Sequence, residues 1–150
     1  MYRQMAMIHR VRAASVDDIE FMIRLEQKTC RTYFENVSDW TAEYQREHFY
    51  AYFKPKYVSI IQDDSQLMGA FSFFSKKNVI FILYVYLLPE FQGQGIGTFI
   101  LKGIIRMAKA QGKPIVLNTF KKNTKALRLF IRLGFKVIHE SENKIFLKRS

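Results

Sequence analysis

The segment Gln92-Gly93-Gln94-Gly95-Ile96-Gly97 carries the clearest chemical signal in this 150-residue chain. It follows an apolar run over residues 79–88 and precedes an amphipathic stretch that begins near Thr98. A strand that turns through glycines into a helix aims backbone N–H groups outward, with no Cβ to hold a ligand away. The first helical turn adds unpaired donors and a partial positive charge, which suits a phosphate group. A tight turn without a ligand is the plain alternative, but three glycines at alternate positions exceed what such a turn needs.

Two common nucleotide motifs do not fit. A P-loop requires Gly-Lys-Ser/Thr, and Gly97-Thr98-Phe99 does not supply it. A dinucleotide fingerprint requires a glycine three positions after Gly95, where Thr98 stands. It also requires an acidic residue about twenty positions on. No Asp or Glu occurs between Gly97 and Glu140.

What remains is Gln-x-x-Gly-x-Gly after a strand ending in Leu-Pro, here Leu88-Pro89-Glu90-Phe91-Gln92. Downstream, Asn123, Ala126 and Phe130 lead into Leu133-Gly134-Phe135, a helix that ends in Leu-Gly-Phe. Together these motifs resemble the two signatures of the GNAT superfamily of N-acetyltransferases, in the family's order. The resemblance implies acetyl-CoA as cosubstrate and no metal. It implies that the pyrophosphate rests on N–H groups of Gln92, Gly93, Gln94, Gly95, Ile96 and Gly97. The pantetheine arm and thioester carbonyl would pair with the backbone of Val85, Tyr86 and Leu87, as an added strand would. Asn123 matches the asparagine that reaches the pantetheine, and Phe130, on the same helix, is expected with it among the cofactor-binding residues.

The acid and base posts of the better-known members are filled differently here. Phe130 stands where many members place a catalytic tyrosine, seven residues after the asparagine. Asn118 stands where ribosomal-protein N-terminal acetyltransferases carry a glutamate, and Phe81 where histone-type members carry one. The absent tyrosine matters less, because a thiol with a pKa near about 8.5 leaves as thiolate without an assigned acid. The base matters more: deprotonating a lysine-like amine at pH 7 costs roughly 4–5 kcal/mol. Candidates are Glu26, or water held by Asn118 and the hydroxyl of Tyr84 or Tyr86. His48 and His139 read as surface residues.

The elements that must position these groups follow from periodicity. Residues 8–12 read as a strand. Ser15-x-x-Asp18 resembles a capping box that opens a helix to about Cys30. Glu26 continues that helix's inward stripe of Ile19, Met22 and Ile23, an unusual place for a carboxylate; a solvated stripe edge is the alternative. Ser38 or Asp39 is expected to cap a second helix, running to about Phe53 before Pro55. Nine aromatic residues over 33–57 read chiefly as core packing, with a lid over an acceptor pocket as the alternative. Strands are expected over 57–62, 68–74, 79–88 and 115–120, a helix from Gly97 to Gly112, and another from Asn123 or Thr124 to Gly134. Residues 135–139 and 144–148 would close the fold as a hairpin. The order is that of an α/β, single-domain GNAT-like fold over 1–150: a mixed, mostly antiparallel sheet flanked by helices, its splayed parallel strand pair forming the acetyl-CoA cleft.

Composition narrows the class. With 49% hydrophobic residues the chain can bury a core, and a single cysteine, Cys30, excludes an intrachain disulfide. No apolar run reaches membrane-spanning length and no signal-peptide pattern opens the chain, so a cytoplasmic protein without a membrane partner is expected. The net charge of +11 is uneven. Residues 91–150 hold 13 Lys and Arg against 2 Asp and Glu, whereas residues 1–90 balance at 11 each. A positive field over the cofactor half suits a polyanion such as coenzyme A. Nucleic acid is the rival partner, without a recognisable motif. The expected activity is transfer of an acetyl group to the primary amine of a small molecule or peptide. A catalytically silent acyl-CoA-binding module is the alternative, and a homodimer is left open.

Overall fold

A computed structural model describes residues 9–34 and 40–150. In chain order the elements are β1 (Arg10–Ala13), α1 (Ile19–Phe34), α2 (Ala42–Tyr52), β2 (Val58–Gln62), β3 (Leu67–Ser75), β4 (Ile80–Leu87), α3 (Ile96–Gln111), β5 (Ile115–Phe120), α4 (Thr124–Arg132), β6 (Lys136–Glu140) and β7 (Lys144–Arg149). This is the expected order, with bounds shifted by a residue or two at most ends and α1 running four residues further. Among the described residues the seven strands follow one another as β1-β2-β3-β4-β5-β7-β6. The sheet is mixed and mostly antiparallel, with one parallel pair, β4 and β5. Ile8, Ser38 and Asp39 lie outside the described residues. The cap of α2 is Thr41, whose hydroxyl accepts from the Tyr44 N–H at 3.0 Å.

The chain forms two compact units, and β3 and β4 each contribute to both. The first takes in residues up to Ser72 together with Val85–Gly97. Here β1 pairs antiparallel with β2, and β2 with β3. The inward stripe of α1 (Met22, Ile23, Leu25) is buried, as are Ile60 and Ile61 of β2, Met68 and Ala70 of β3, and Leu87 and Leu88. The capping box forms as expected. Ser15 accepts from Asp17 N–H, and Asp18 accepts from Ser15 N–H at 2.8 Å.

Asp18, only 5% exposed, also takes both Arg12 guanidinium nitrogens at 2.9 Å. The arginine contact, offset in part by burial, holds the Asp18 carboxyl below its ordinary range. A carboxylate depressed in the folded state stabilises above its unfolded pKa, and that contribution is lost as pH falls through the folded value. Asp18→Ala is therefore expected to cost about 2–3 kcal/mol at pH 7, measured by urea unfolding. The penalty should shrink below about pH 4, the unfolded aspartate range.

The aromatic cluster departs from expectation. Tyr44, Tyr50, Tyr52 and Tyr57 are 50–67% exposed rather than core. They are covered in part by their own neighbours. Along one row of α2, Tyr44 stacks on His48 and His48 meets Tyr52 at a tilt, with ring centroids 6.0 and 5.0 Å apart, while the Tyr50 hydroxyl donates to Glu20. Phe49 and Phe53, with rings 6.2 Å apart, are half-buried, as are Tyr33 and Trp40.

The second unit comprises Phe73–Tyr84 and Thr98–Ser150. Its parallel register pairs Ile80 with Ile115 and Phe81 with Val116. β7 lies antiparallel to β5 on one side and to β6 on the other, so residues 136–149 form the expected hairpin. Ile80, Ile82, Ile100, Leu101, Ile104, Ala108, Ile115, Leu117, Phe135, Ile145 and Leu147 make its buried core. Among the described residues, no helix is long and apolar enough to cross a membrane.

Candidate functional site

The glycine loop links β4 to α3 inside the first unit. Pro89 opens a short 3-10 turn, Pro89–Phe91, because its fixed φ fits a first helical position. Gln92 N–H donates back to Pro89 O at 3.2 Å, and the Gln92 side chain donates to Leu87 O at 2.9 Å. Gln94 likewise reaches Glu90 O at 3.0 Å. The two glutamines thus brace the loop from within. Gly93 and Gly95 have φ of 75° and 85°, a left-handed conformation that costs other L-residues roughly 1–2 kcal/mol. This alternation explains the spacing of the motif. Each left-handed glycine turns the chain sharply, and the loop leads directly into the N-terminal turn of α3. Residues 92–95 are exposed and Ile96 is fully buried, which anchors the helix start under an open loop. Since Gln92 N–H is already engaged, the N–H groups available to an anion begin at Gly93.

Gly69 of β3 is a feature that the motifs do not reveal. A Cβ there would sit 2.1 Å from Tyr86 O and 2.9 Å from the Leu87 side chain. Only a glycine lets β3 come this near to residues 86 and 87, the backbone expected to hold the cofactor arm. The signal in the sequence was a glycine inside an otherwise apolar strand, which marks a close backbone approach. Gly69→Ala should shift that backbone, costing about 1–3 kcal/mol of stability. Acetyl-CoA affinity should fall with it, and calorimetry on the folded variant checks the outcome.

Glu26 is half-buried on α1 and faces α2. Its Oε1 accepts from Gln45 Nε2 at 3.1 Å, and the same nitrogen donates to Ile23 O at 3.2 Å. Burial raises the Glu26 carboxyl above its ordinary range, against the lowering effects of the Gln45 hydrogen bond and the charge of His48. Desolvated carboxyls of this kind can serve as general bases. The solvated-edge alternative does not describe it.

Of the remaining predicted residues, Val85, Tyr86 and Leu87 belong to the first unit, and Tyr84, Asn118, Asn123 and Phe130 to the second. Tyr84 and Tyr86, on β4, are half-buried; Asn118, on β5, is exposed and stands opposite Phe146 of β7. Asn123 caps α4, its Oδ1 accepting from Ala126 N–H at 3.1 Å, so its amide nitrogen keeps two donors for other use. The two phenylalanines at acid/base posts are packing residues. Phe81 stacks on Phe74 at 5.1 Å, and Phe130 meets Phe135 edge-on at 5.9 Å. His48 and His139 are exposed. A hollow of about 430 Å³ lined by Lys109, Lys113, Lys148 and Arg149 lies by the C-terminal end of α3. The glycine loop is at the other end of that helix, where the dipole favours anions. No cluster of three or more His, Cys, Asp or Glu side chains that could hold a metal occurs among the described residues.

Comparison with known proteins agrees with this fold. Among curated proteins none matches this sequence. Many solved structures share the fold, among them three at low identity. The PaiA N-acetyltransferase of Thermoplasma acidophilum, in complex with coenzyme A, is 18% identical, with a TM-score of 0.74 over 95% of this chain and 99% of its own. The ribosomal-protein-S18-alanine N-acetyltransferase of Escherichia coli is 14% identical, with a TM-score of 0.69 over 95% and 93%. Arabidopsis thaliana Naa50, in complex with the bisubstrate analogue CoA-Ac-MVNAL, is 15% identical, with a TM-score of 0.67 over 95% and 98%. The family model described as the acetyltransferase (GNAT) family matches residues 20–135, a span that includes Glu26, the glycine loop and the Leu-Gly-Phe helix end. The chain belongs to the acetyltransferase (GNAT) family.

Proposed function

We propose that residues 1–150 act as one acetyl-CoA-dependent N-acetyltransferase domain, moving an acetyl group to a primary amine by direct attack. The observation that carries this reading is the braced loop. Gly93 and Gly95 in left-handed conformation open directly onto the first turn of α3, immediately after β4. The N–H groups of Gly93, Gln94, Gly95, Ile96 and Gly97 would hold the pyrophosphate. The backbone of Val85, Tyr86 and Leu87, beyond Phe81 where the parallel register ends, would hold the arm. The donor end of Asn123 suits a pantetheine carbonyl, and Phe130 supports that helix. The bound thioester supplies the acyl group. The amine nitrogen forms its bond to the acyl carbon as the carbon–sulfur bond breaks, and sulfur leaves with the electron pair. The chain's contribution is to align the thioester on β4 and to take the amine proton. We assign that proton to Glu26, with water near Asn118 and Tyr84 as the alternative route.

Among the fold relatives, one is named for an alanine of ribosomal protein S18, one for phosphinothricin, and one is bound to the bisubstrate analogue CoA-Ac-MVNAL. A peptide or small-molecule amine is accordingly the acceptor class for this chain, and a cytoplasmic location and a homodimer are compatible with it. The test is release of free thiol from acetyl-CoA against a panel of primary amines, at pH 7 to 9. Turnover with at least one amine is expected. A second reading, a silent acyl-CoA-binding module, draws on the packed rings of Phe81 and Phe130 at posts that the family resemblance assigns to acid or base. It predicts tight acetyl-CoA binding with no turnover across the panel.

The uneven charge gives a separate prediction. Acetyl-CoA affinity should fall with rising salt more steeply than affinity for a pantetheine fragment lacking the phosphates. Exposed charges are screened over about 8–10 Å at physiological ionic strength. Equal slopes, measured by calorimetry, would assign the basic residues of 91–150 to another partner. Binding to DNA or RNA that coenzyme A fails to displace would identify it as nucleic acid.

A further inference from the structure

The Gln45 side chain is buried to 2% exposure, although a buried amide is costly unless its groups are bonded. If the position served packing alone, a leucine or methionine would fill it without that cost. The hydrogen bonds show what the amide does. One Nε2 hydrogen goes to the Ile23 carbonyl and the other to Glu26 Oε1, so both donors are spent on α1. Gln45 Oε1 is buried with no hydrogen-bond partner. With Glu26 ionised, flipping the amide would not relieve this, because its oxygen would then face the Ile23 carbonyl and the carboxylate, neither of which donates. The orientation is therefore fixed, and an orphaned carbonyl is tolerated so that the donor end can reach the carboxylate. Ile23 lies one turn before Glu26 on the same helix. The amide thus grips the backbone and the side chain of α1 at adjacent points, which defines where the carboxylate stands.

We propose that Gln45 is a positioning residue, its amide holding the Glu26 carboxylate in the orientation from which it accepts the proton of the incoming amine. This rests on the reading of Glu26 as the base. It adds a residue on a different helix, 19 positions away, that no motif of the chain indicates. A donor that favours the charged form keeps a half-buried carboxylate usable near neutral pH. On α2 the titratable side chain whose charge acts on Glu26 is His48, which lies on the exposed side of that helix.

The test is a ¹³C NMR titration of the glutamate side-chain carboxyls in the whole chain, with the Glu26 signal assigned by Glu26→Gln. It requires no acceptor. In Gln45→Met, which keeps the volume and removes the donor, the Glu26 midpoint should rise by about one pH unit. In Gln45→Glu, which places an acceptor where the donor was, it should rise further. A His48→Gln titration separates the histidine's contribution from that of the amide. Circular dichroism establishes that each variant is folded, and Gln45→Glu serves if Gln45→Met is not. In the thiol-release assay with the best amine of the panel, kcat should fall at pH 7 in the Gln45 variants, by no more than about tenfold for a one-unit rise, recovering at higher pH, with KM for acetyl-CoA unchanged. An unmoved midpoint in the folded variants would make Gln45 a purely structural residue and overturn the proposal, even if Glu26→Gln is inactive. Full turnover in Glu26→Gln would instead remove the base reading, and the positioning role with it; the titration tells the two failures apart.

Discussion

Gly95→Glu is expected to weaken acetyl-CoA binding by about 100-fold or more, equivalent to about 2.7 kcal/mol, in a domain that still folds. Two effects act together. Gly95 has φ of 85°, so any side chain strains the loop. The added carboxylate also stands in the electropositive mouth of α3, where it would take the phosphate seat and repel the pyrophosphate. Gly95→Ala separates them, because it carries the strain without the charge, and it should lose far less affinity. The loop is exposed and packs little, so the thermal midpoint should move by only a few degrees. Unchanged affinity in a folded Gly95→Glu protein would mean that the loop is not the pyrophosphate seat.

Glu26→Gln is expected to lower kcat by about 10²–10⁴-fold at pH 7, the usual worth of a positioned base, with acetyl-CoA affinity intact. Glutamine keeps an oxygen to accept from Gln45, so the contact between the helices survives. The stability effect should run the other way. Burial raises the Glu26 pKa, so the carboxyl's favourable contribution to folding is full below the unfolded glutamate range and is lost as pH rises through the folded value. Replacing it should leave the protein as stable or more so at pH 8, while activity drops. Phe130→Tyr, by contrast, should alter the rate only modestly, since thiolate expulsion needs no acid and the ring's contact is with Phe135. Near wild-type turnover in Glu26→Gln from pH 7 to 9 would pass deprotonation to water near Asn118 and the strand tyrosines.

Most of the scaffold was legible because its signals are local. The alternate glycines, the Pro55 and Pro89 breaks, the Ser15–Asp18 box and the Leu-Gly-Phe helix end each act over a few residues, and each appears where expected. What escaped depends on contacts between distant segments. Gly69 makes sense only beside Tyr86 O, and Gln45 only beside Glu26 and Ile23. The exposed tyrosines of α2 misled for a related reason. Aromatic density suggests burial, yet rings at every fourth position can pack against one another at a helix surface, as Tyr44, His48 and Tyr52 do. Glu26 lay between these cases: its place on an inward stripe was readable, but the donor that holds it was not.

The central claim is that the loop after β4 is a coenzyme A seat, and the most direct measurement is an amide chemical-shift titration of ¹⁵N-labelled protein with coenzyme A. The largest saturable changes are expected at the N–H groups of Gly93, Gly95, Ile96 and Gly97 and along residues 85–87. Fragments lacking the phosphates should perturb 85–87 but spare the loop. Saturable shifts confined to other regions, with the 93–97 amides unmoved at full occupancy, would contradict the account.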